Sequence, residues 1–307
     1  MLQRSLRDPV AKLIAPLVKI LIKLRISANL ISTIGGVGSA ASALYFFPKG
    51  EFFIGVLWVA GFVIFDLFDG AVARASHKGV SKWGAVLDST LDRLSDAAIF
   101  VGALLYFIKS DDRLVPLIIV AAVAAFMVSY IKARAESLNI VCDGGIGSAA
   151  SALYFFPKGE FLTGVLWVSG FVIFDLFDGA VARASNKGVS KWGAVLDSTL
   201  DRLSDAAVFI GALLFFIKSD DRLVPLIIVA AVSAFMVSYI KARAESLNIV
   251  CDGGIAERSE RLIIALAAYA LHGFKVDYAM AAGMWILVFL SLITMAQRML
   301  IVYKAVK

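Results

Sequence analysis

FDLFDGAVARASHKGVSKWGAVLDSTLDR occupies residues 65–93, and the same string with one change, His77 to Asn186, returns at 174–202. Each copy sets four carboxylates into apolar surroundings: Asp66, Asp69, Asp88 and Asp92 in the first, Asp175, Asp178, Asp197 and Asp201 in the second. On insertion scales a charge at the centre of a membrane helix costs about 2.5–3.5 kcal/mol. Acids in such number point to a function, and most directly to a metal site.

Working outward, the rest of the chain is built for lipid. Of 307 residues, 60% are hydrophobic and the mean hydropathy is +0.86, against about 45–50% apolar in soluble domains. Apolar runs recur that are long enough for a hydrocarbon core of about 30 Å. The fold class expected is all-α, a polytopic membrane helix bundle. A β-barrel would instead alternate in segments of about ten residues. The net charge of +6 is carried by short loops between apolar runs, as membrane orientation requires. That pattern excludes a nucleic-acid surface. Residues 1–25 mix Arg4, Arg7, Lys12, Lys19 and Lys23 with Leu13, Ile14, Leu17 and Leu21. They read as a basic amphipathic helix lying on the membrane rather than a secretory signal. Cys142 and Cys251 are equivalents in a loop placed in the cytosol, so no disulfide is implied.

Residues 37–145 and 146–254 align without a gap over 109 positions and differ at nine. Solenoid repeats are shorter and more divergent, so this is a duplication of the middle of one unit. The domains expected are a surface helix at 1–25, a first copy at 26–145 with helices 1–4, a second copy at 146–254, and two last helices in 255–307. In the first copy the spans are read at 26–47, 51–74, 84–108 and 113–134; the single last two are read at 258–272 and 277–303. In all, about 9–10 membrane segments are expected. Arg74, Lys78, Lys82, Lys132 and Arg134 lie on one side, which places the motifs at the cytoplasmic face of a multi-pass cell-membrane protein. The second copy lacks an equivalent of 26–34. Its first apolar stretch, Ile146–Phe156, has eleven residues, and it is expected to insert tilted or thinned so that the charge bias is kept.

Asp66 and Asp69 are spaced i,i+3, and Asp88 and Asp92 i,i+4, so each pair shares a helix face. A short turn through Gly79 and Gly84 lets the faces converge. Four carboxylates without His or Cys make a hard-oxygen site suited to Mg²⁺ or Mn²⁺, and such ions bring phosphate-bearing substrates. Gly70 removes a side chain where a ligand must approach the backbone. The structural alternative pairs the acids with Arg74 and Arg93, but two bases cannot neutralise four acids.

The pattern D-x2-D-G-x2-A-R-x9-G-x3-D-x3-D, met at every fixed position in both copies, resembles the signature of the CDP-alcohol phosphotransferases. The resemblance implies a six-helix membrane bundle, commonly dimeric, that uses divalent metal to join a CDP-activated lipid to an alcohol and release CMP. It implies that Asp66, Asp69, Asp88 and Asp92 hold Mg²⁺ or Mn²⁺, with Asp92 also the general base. Gly70, Ala73, Arg74 and Gly84 would receive CDP-diacylglycerol. In the second copy Asp175, Asp178, Asp197 and Asp201 would hold the metal, Asp201 as base, and Gly179, Ala182, Arg183 and Gly193 the CDP-lipid. SYIKARAESLNIVCDGGIAERSERL is similar to the actinobacterial phosphatidylinositol phosphate synthases. Lys132, Arg134, Lys241, Arg243, Arg258 and Arg261 are then candidates for binding the phosphate of inositol phosphate, with glycerol 3-phosphate as the alternative acceptor. One departure is Ser27-Ala28 where the family carries Thr-Pro, so the helix entry is expected to differ.

Two other classes fit some of these features. Ion or proton transporters also carry intramembrane acids and repeats, but theirs are divergent and full-length or inverted. An inert product of duplication is the other. Because Arg258 and Arg261 follow the second copy through a short loop, Asp175, Asp178, Asp197 and Asp201 are expected to form the better-completed pocket. The first copy could occupy the place a second subunit fills in a homodimer, giving an intrachain pseudo-dimer.

Overall fold

The computed structural model describes residues 18, 20, 22–24, 26–75, 81–110, 114–138, 153–154, 156–169, 191–218 and 222–306. Among these, every regular element is helical. Ser27 opens α1 (Ala28–Phe46) by accepting the Leu30 N–H on its side chain at 3.2 Å. A serine can cap in this way without a proline behind it.

A stripe of small residues then sets how closely α2 (Phe52–Ala75) and α3 (Lys82–Lys109) approach α1. A Cβ at Gly35 would lie 2.9 Å from the Phe65 Cβ, and one at Gly36 2.8 Å from the Leu91 Cβ. Membrane helices lack a hydrophobic drive to associate and rely on such close backbone approach. The α1 helix ends in a 3₁₀ turn at Phe47–Lys49, closed by Gly50 at φ 78°. Residues Phe156–Lys158 and Gly159 repeat the turn at the same φ, a left-handed conformation that glycine adopts without penalty.

The first copy closes with α4 (Val115–Leu138). In the second copy residues 161–169 are helical, followed by α5 (Lys191–Lys218) and α6 (Val224–Ser246). The unrepeated end forms α7 (Arg258–Gly273) and α8 (Ala279–Val306). The α4 helix runs a turn beyond the bound of 134 read from hydropathy. The reason is local: Lys-Ala-Arg-Ala-Glu is a good helix former, though too polar to count as span.

The chain packs as two units, Met1–Ile118 with Val306–Lys307, and Ile119–Ala305. The first contains α1 to α3. The second takes in nearly all of α4 with α5 to α8, and its core is aromatic. Phe156 stacks edge-on with Tyr269 at 5.0 Å and Phe161 with His272 at 5.1 Å. These contacts fasten α7 to the start of the second copy.

Among the described residues, four helical stretches are long and apolar enough to cross a membrane: Ala28–Lys49, Val115–Ser137, Val224–Ser246 and Ala279–Val306. With 24 to 28 residues, α2, α3 and α5 are as long, and they carry the acids. Large apolar side chains point outward, Phe53 at 78% exposure and Phe289 at 66%, as lipid-facing surfaces do. The protein is a multi-pass helical membrane protein. Nearly all of the expected surface helix at 1–25 and of Ile146–Phe156 lies outside the described residues.

Candidate functional site

In the first copy α2 carries Asp66, Asp69, Gly70, Ala73 and Arg74, and α3 carries Gly84, Asp88 and Asp92. The side chains of Asp66, Ala73 and Arg74 lie outside the described residues. A cavity of about 170 Å³ opens between α1, α2 and α3, lined among others by Ser32, Asp69, Asp88, Asp92, Arg93 and Asp96. Asp69 is buried and accepts a hydrogen bond from the Ser32 hydroxyl on α1. Asp92 is half-exposed at 50%, with Arg93 4.0 Å away. That arginine commits its other nitrogen to Asp96 at 2.5 Å. Gly84 has a packing reason of its own, because a Cβ there would meet the Asn29 Oδ1 at 3.0 Å.

Among the described residues no three carboxylates close on one point tightly enough to hold a metal. The donor set nevertheless suits one. Three acids of the motif face one cavity, with neither His nor Cys beside them, the chemistry that Mg²⁺ and Mn²⁺ prefer.

The second copy is seen from its other end. Asp175, Asp178, Gly179, Ala182 and Arg183 lie outside the described residues, as does the Asp197 side chain; Gly193 lies on α5. Asp201 is well described. Arg258, on α7, reaches it with Nη1 at 2.7 Å and reaches Asp205 with Nε at 3.3 Å. Arg202 also holds Asp205, at 2.9 Å. Beneath these pairs the Ser238 hydroxyl accepts from Arg202 at 2.6 Å and from Arg261 at 3.1 Å. Arg261 is buried and donates again to the Ala256 carbonyl at 2.7 Å. Of the two arginines of α7, Arg258 therefore reaches Asp201 and Asp205 on α5, and Arg261 reaches Ser238 on α6.

The remaining cationic candidates divide. Lys132 is exposed. Arg134 donates to the Ser198 hydroxyl at 3.1 Å and to Glu245 at 2.5 Å, so a first-copy cation borders the helix that carries Asp201. Arg243 pairs with Glu136 at 3.1 Å. Lys241 donates to Asp252 at 2.6 Å, and that hydrogen bond holds the Asp252 carboxyl below the usual carboxylate range. Next to it Cys251 is a free thiol, buried, and burial pushes its pKa up.

Three site residues were not singled out by the motif: Ser32, Asp96 and Asp205. Each left a signal. Ser32 is a polar residue inside an apolar span, one turn after Asn29. Asp96 and Asp205 continue the i,i+4 acid spacing beyond Asp92 and Asp201.

Comparison with known proteins follows the same lines. The sequence profile of the CDP-alcohol phosphatidyltransferases matches twice, at residues 25–142 and 138–297. A phosphatidylinositol phosphate synthase of Mycobacteroides abscessus is 43% identical over 164 residues, 52% of this chain and 74% of its own length. A phosphatidylinositol phosphate synthase of Corynebacterium glutamicum is 35% identical over 192 residues, 61% of this chain and 85% of its own. The crystal structure of the Mycobacterium tuberculosis phosphatidylinositol phosphate synthase with CDP-DAG bound aligns at 25% identity and a TM-score of 0.32, over 94% of this chain and 93% of that one. Two profile matches that together run from residue 25 to 297, with relatives above 40% identity, place both copies of the motif in one family: the chain belongs to the CDP-alcohol phosphatidyltransferases.

Proposed function

We propose that the chain transfers the phosphatidyl group of CDP-diacylglycerol to a phosphorylated alcohol, inositol phosphate, giving phosphatidylinositol phosphate and CMP at the cytoplasmic face of the membrane. The observation that carries this reading is the first-copy cavity lined by the motif acids Asp69, Asp88 and Asp92. In the second copy Arg258 pairs with Asp201 and Asp205. The relatives named as phosphatidylinositol phosphate synthases supply the choice of acceptor. The basic loops on the motif side support the cytoplasmic placement.

In this reaction the acceptor hydroxyl oxygen forms a bond to the phosphorus that bears the diacylglycerol. The bond from that phosphorus to the oxygen bridging to CMP breaks, and CMP leaves with the electron pair. Asp92 or Asp201 takes the hydroxyl proton. A Mg²⁺ or Mn²⁺ ion held by Asp66, Asp69, Asp88 and Asp92, or by their second-copy equivalents, would neutralise the diphosphate charge. Arg258 offers planar donors that match a phosphate in bidentate fashion. Gly70 and Gly84, with Gly179 and Gly193, leave backbone accessible to the cytidine part.

The test is CMP release by the full chain in lipid micelles supplied with CDP-diacylglycerol. Release is expected to depend on added inositol phosphate and to stop with EDTA. Turnover that survives exhaustive EDTA would contradict the metal assignment, and a preference for glycerol 3-phosphate would contradict the acceptor.

A further inference from the structure

The contact between α4 and α6 has a pattern that ordinary helix packing does not produce. The two helices are repeat equivalents, 109 residues apart. Phe126 meets Phe235, its own equivalent, at a ring-centroid distance of 4.9 Å. One turn on, Tyr130 and Ala133 of α4 share a buried cluster with Tyr239 and Ala242 of α6, again equivalents, and with Met236. Beyond these, Arg134 binds Glu245 at 2.5 Å and Glu136 binds Arg243 at 3.1 Å. Since Arg134 corresponds to Arg243 and Glu136 to Glu245, the two ion pairs are one interaction made twice, in opposite senses.

That is the rule of an isologous interface: residue i meets j, and j meets i. Equivalent residues also meet at equivalent levels, so α4 and α6 run parallel around a local twofold along their length. Parallel equivalents mean that α4 and α6 keep one direction, as the charge bias of their flanking loops demands. Every residue named in the contact is identical between the copies, which self-complementarity requires.

We propose that this face is a self-recognition surface already satisfied inside the chain: α6 occupies, against α4, the place that α4 of a second copy of the protein would take, and the chain acts as a monomer. An aromatic pair on the axis supplies area and edge geometry, and the flanking charges fix register. A face so filled has nothing left to offer another chain. The inference is independent of the acceptor and of catalysis.

The mass of the purified full chain in nanodiscs, with lipid subtracted, is expected to be that of one chain, 32.9 kDa; a two-chain mass would overturn the proposal. Thiol cross-linking tests the face itself, with Cys142 and Cys251 replaced by Ala. The Phe126→Cys, Phe235→Cys double variant treated with a short bis-maleimide is expected to lose both thiols without forming a covalent dimer. Each single variant is expected to form none. Covalent dimers from either single variant, or two free thiols in the double, would show that the face is used between chains or not formed. If cysteine at these positions prevents folding, charge reversal decides. Arg134→Glu is expected to lower the thermal midpoint and Glu245→Arg added to it to restore the midpoint, whereas additive losses would overturn the pairing.

Discussion

The two copies of the motif differ at nine of 109 positions and yet stand in different surroundings. In the first, Asp69 is held by Ser32 of α1, and Asp92 is half-exposed beside a cavity. In the second, Asp201 is only 20% exposed and takes Arg258 from α7. Neither neighbour has a counterpart in the other copy. The residue corresponding to Ser32 is Val141, and α7 occurs once. The repeated string builds the same 28-residue helix in α3 and α5, while the electrostatics of Asp92 and Asp201 are decided by what the flanking, unrepeated segments bring. One copy keeps the entry helix and the other keeps the arginines.

The largest effect expected from breaking this difference is on stability. Tyr269 is fully buried against Phe156 and Phe161 and fastens α7 to the second copy. Truncation of a buried aromatic costs about 3–5 kcal/mol, so Tyr269→Ala is expected to lower the unfolding midpoint strongly. Tyr106→Phe in the first copy only reproduces the residue already present at Phe215 and is expected to change little. Thermal unfolding in one detergent compares the two; equal losses would remove the special standing of the second copy.

A smaller effect is expected at Arg258. Losing a charged hydrogen bond costs about 1.5–3 kcal/mol, so Arg258→Ala should raise KM for the phosphorylated acceptor roughly tenfold to a hundredfold. The KM for CDP-diacylglycerol should move far less. Steady-state CMP release with each substrate varied in turn reads the split, and equal rises would assign Arg258 to holding Asp201 and Asp205 alone.

Much of this is legible in the sequence. The spans follow from hydropathy, and the meeting of Asp69, Asp88 and Asp92 at one cavity follows from their helical spacing. The two last helices fall within a few residues of where periodicity puts them. What was not legible depends on distant packing. Arg134 reads as a candidate for binding the acceptor phosphate, and it lies against Ser198 and Glu245 of the other copy, because α4 continues as helix to Leu138 and pairs with α6. The buried Arg261 was read as a phosphate binder from its charge; its two hydrogen bonds inside the fold become visible only once α6 and the loop at Ala256 are placed beside it. Asp205 was passed over because the motif ends at Asp201, although an acid one turn further along the same face could have been counted.

The central claim is that the copy completed by α7 and α8 carries the turnover. The most direct measurement compares Asp201→Asn with Asp92→Asn, each in the full chain, by CMP release from CDP-diacylglycerol at saturating inositol phosphate. Removing a general base costs about 10²–10⁴-fold, so Asp201→Asn is expected to abolish nearly all activity while Asp92→Asn retains most of it. The reverse ranking would contradict the account and place catalysis at the first copy, and equal halving by the two substitutions would mean two independent sites.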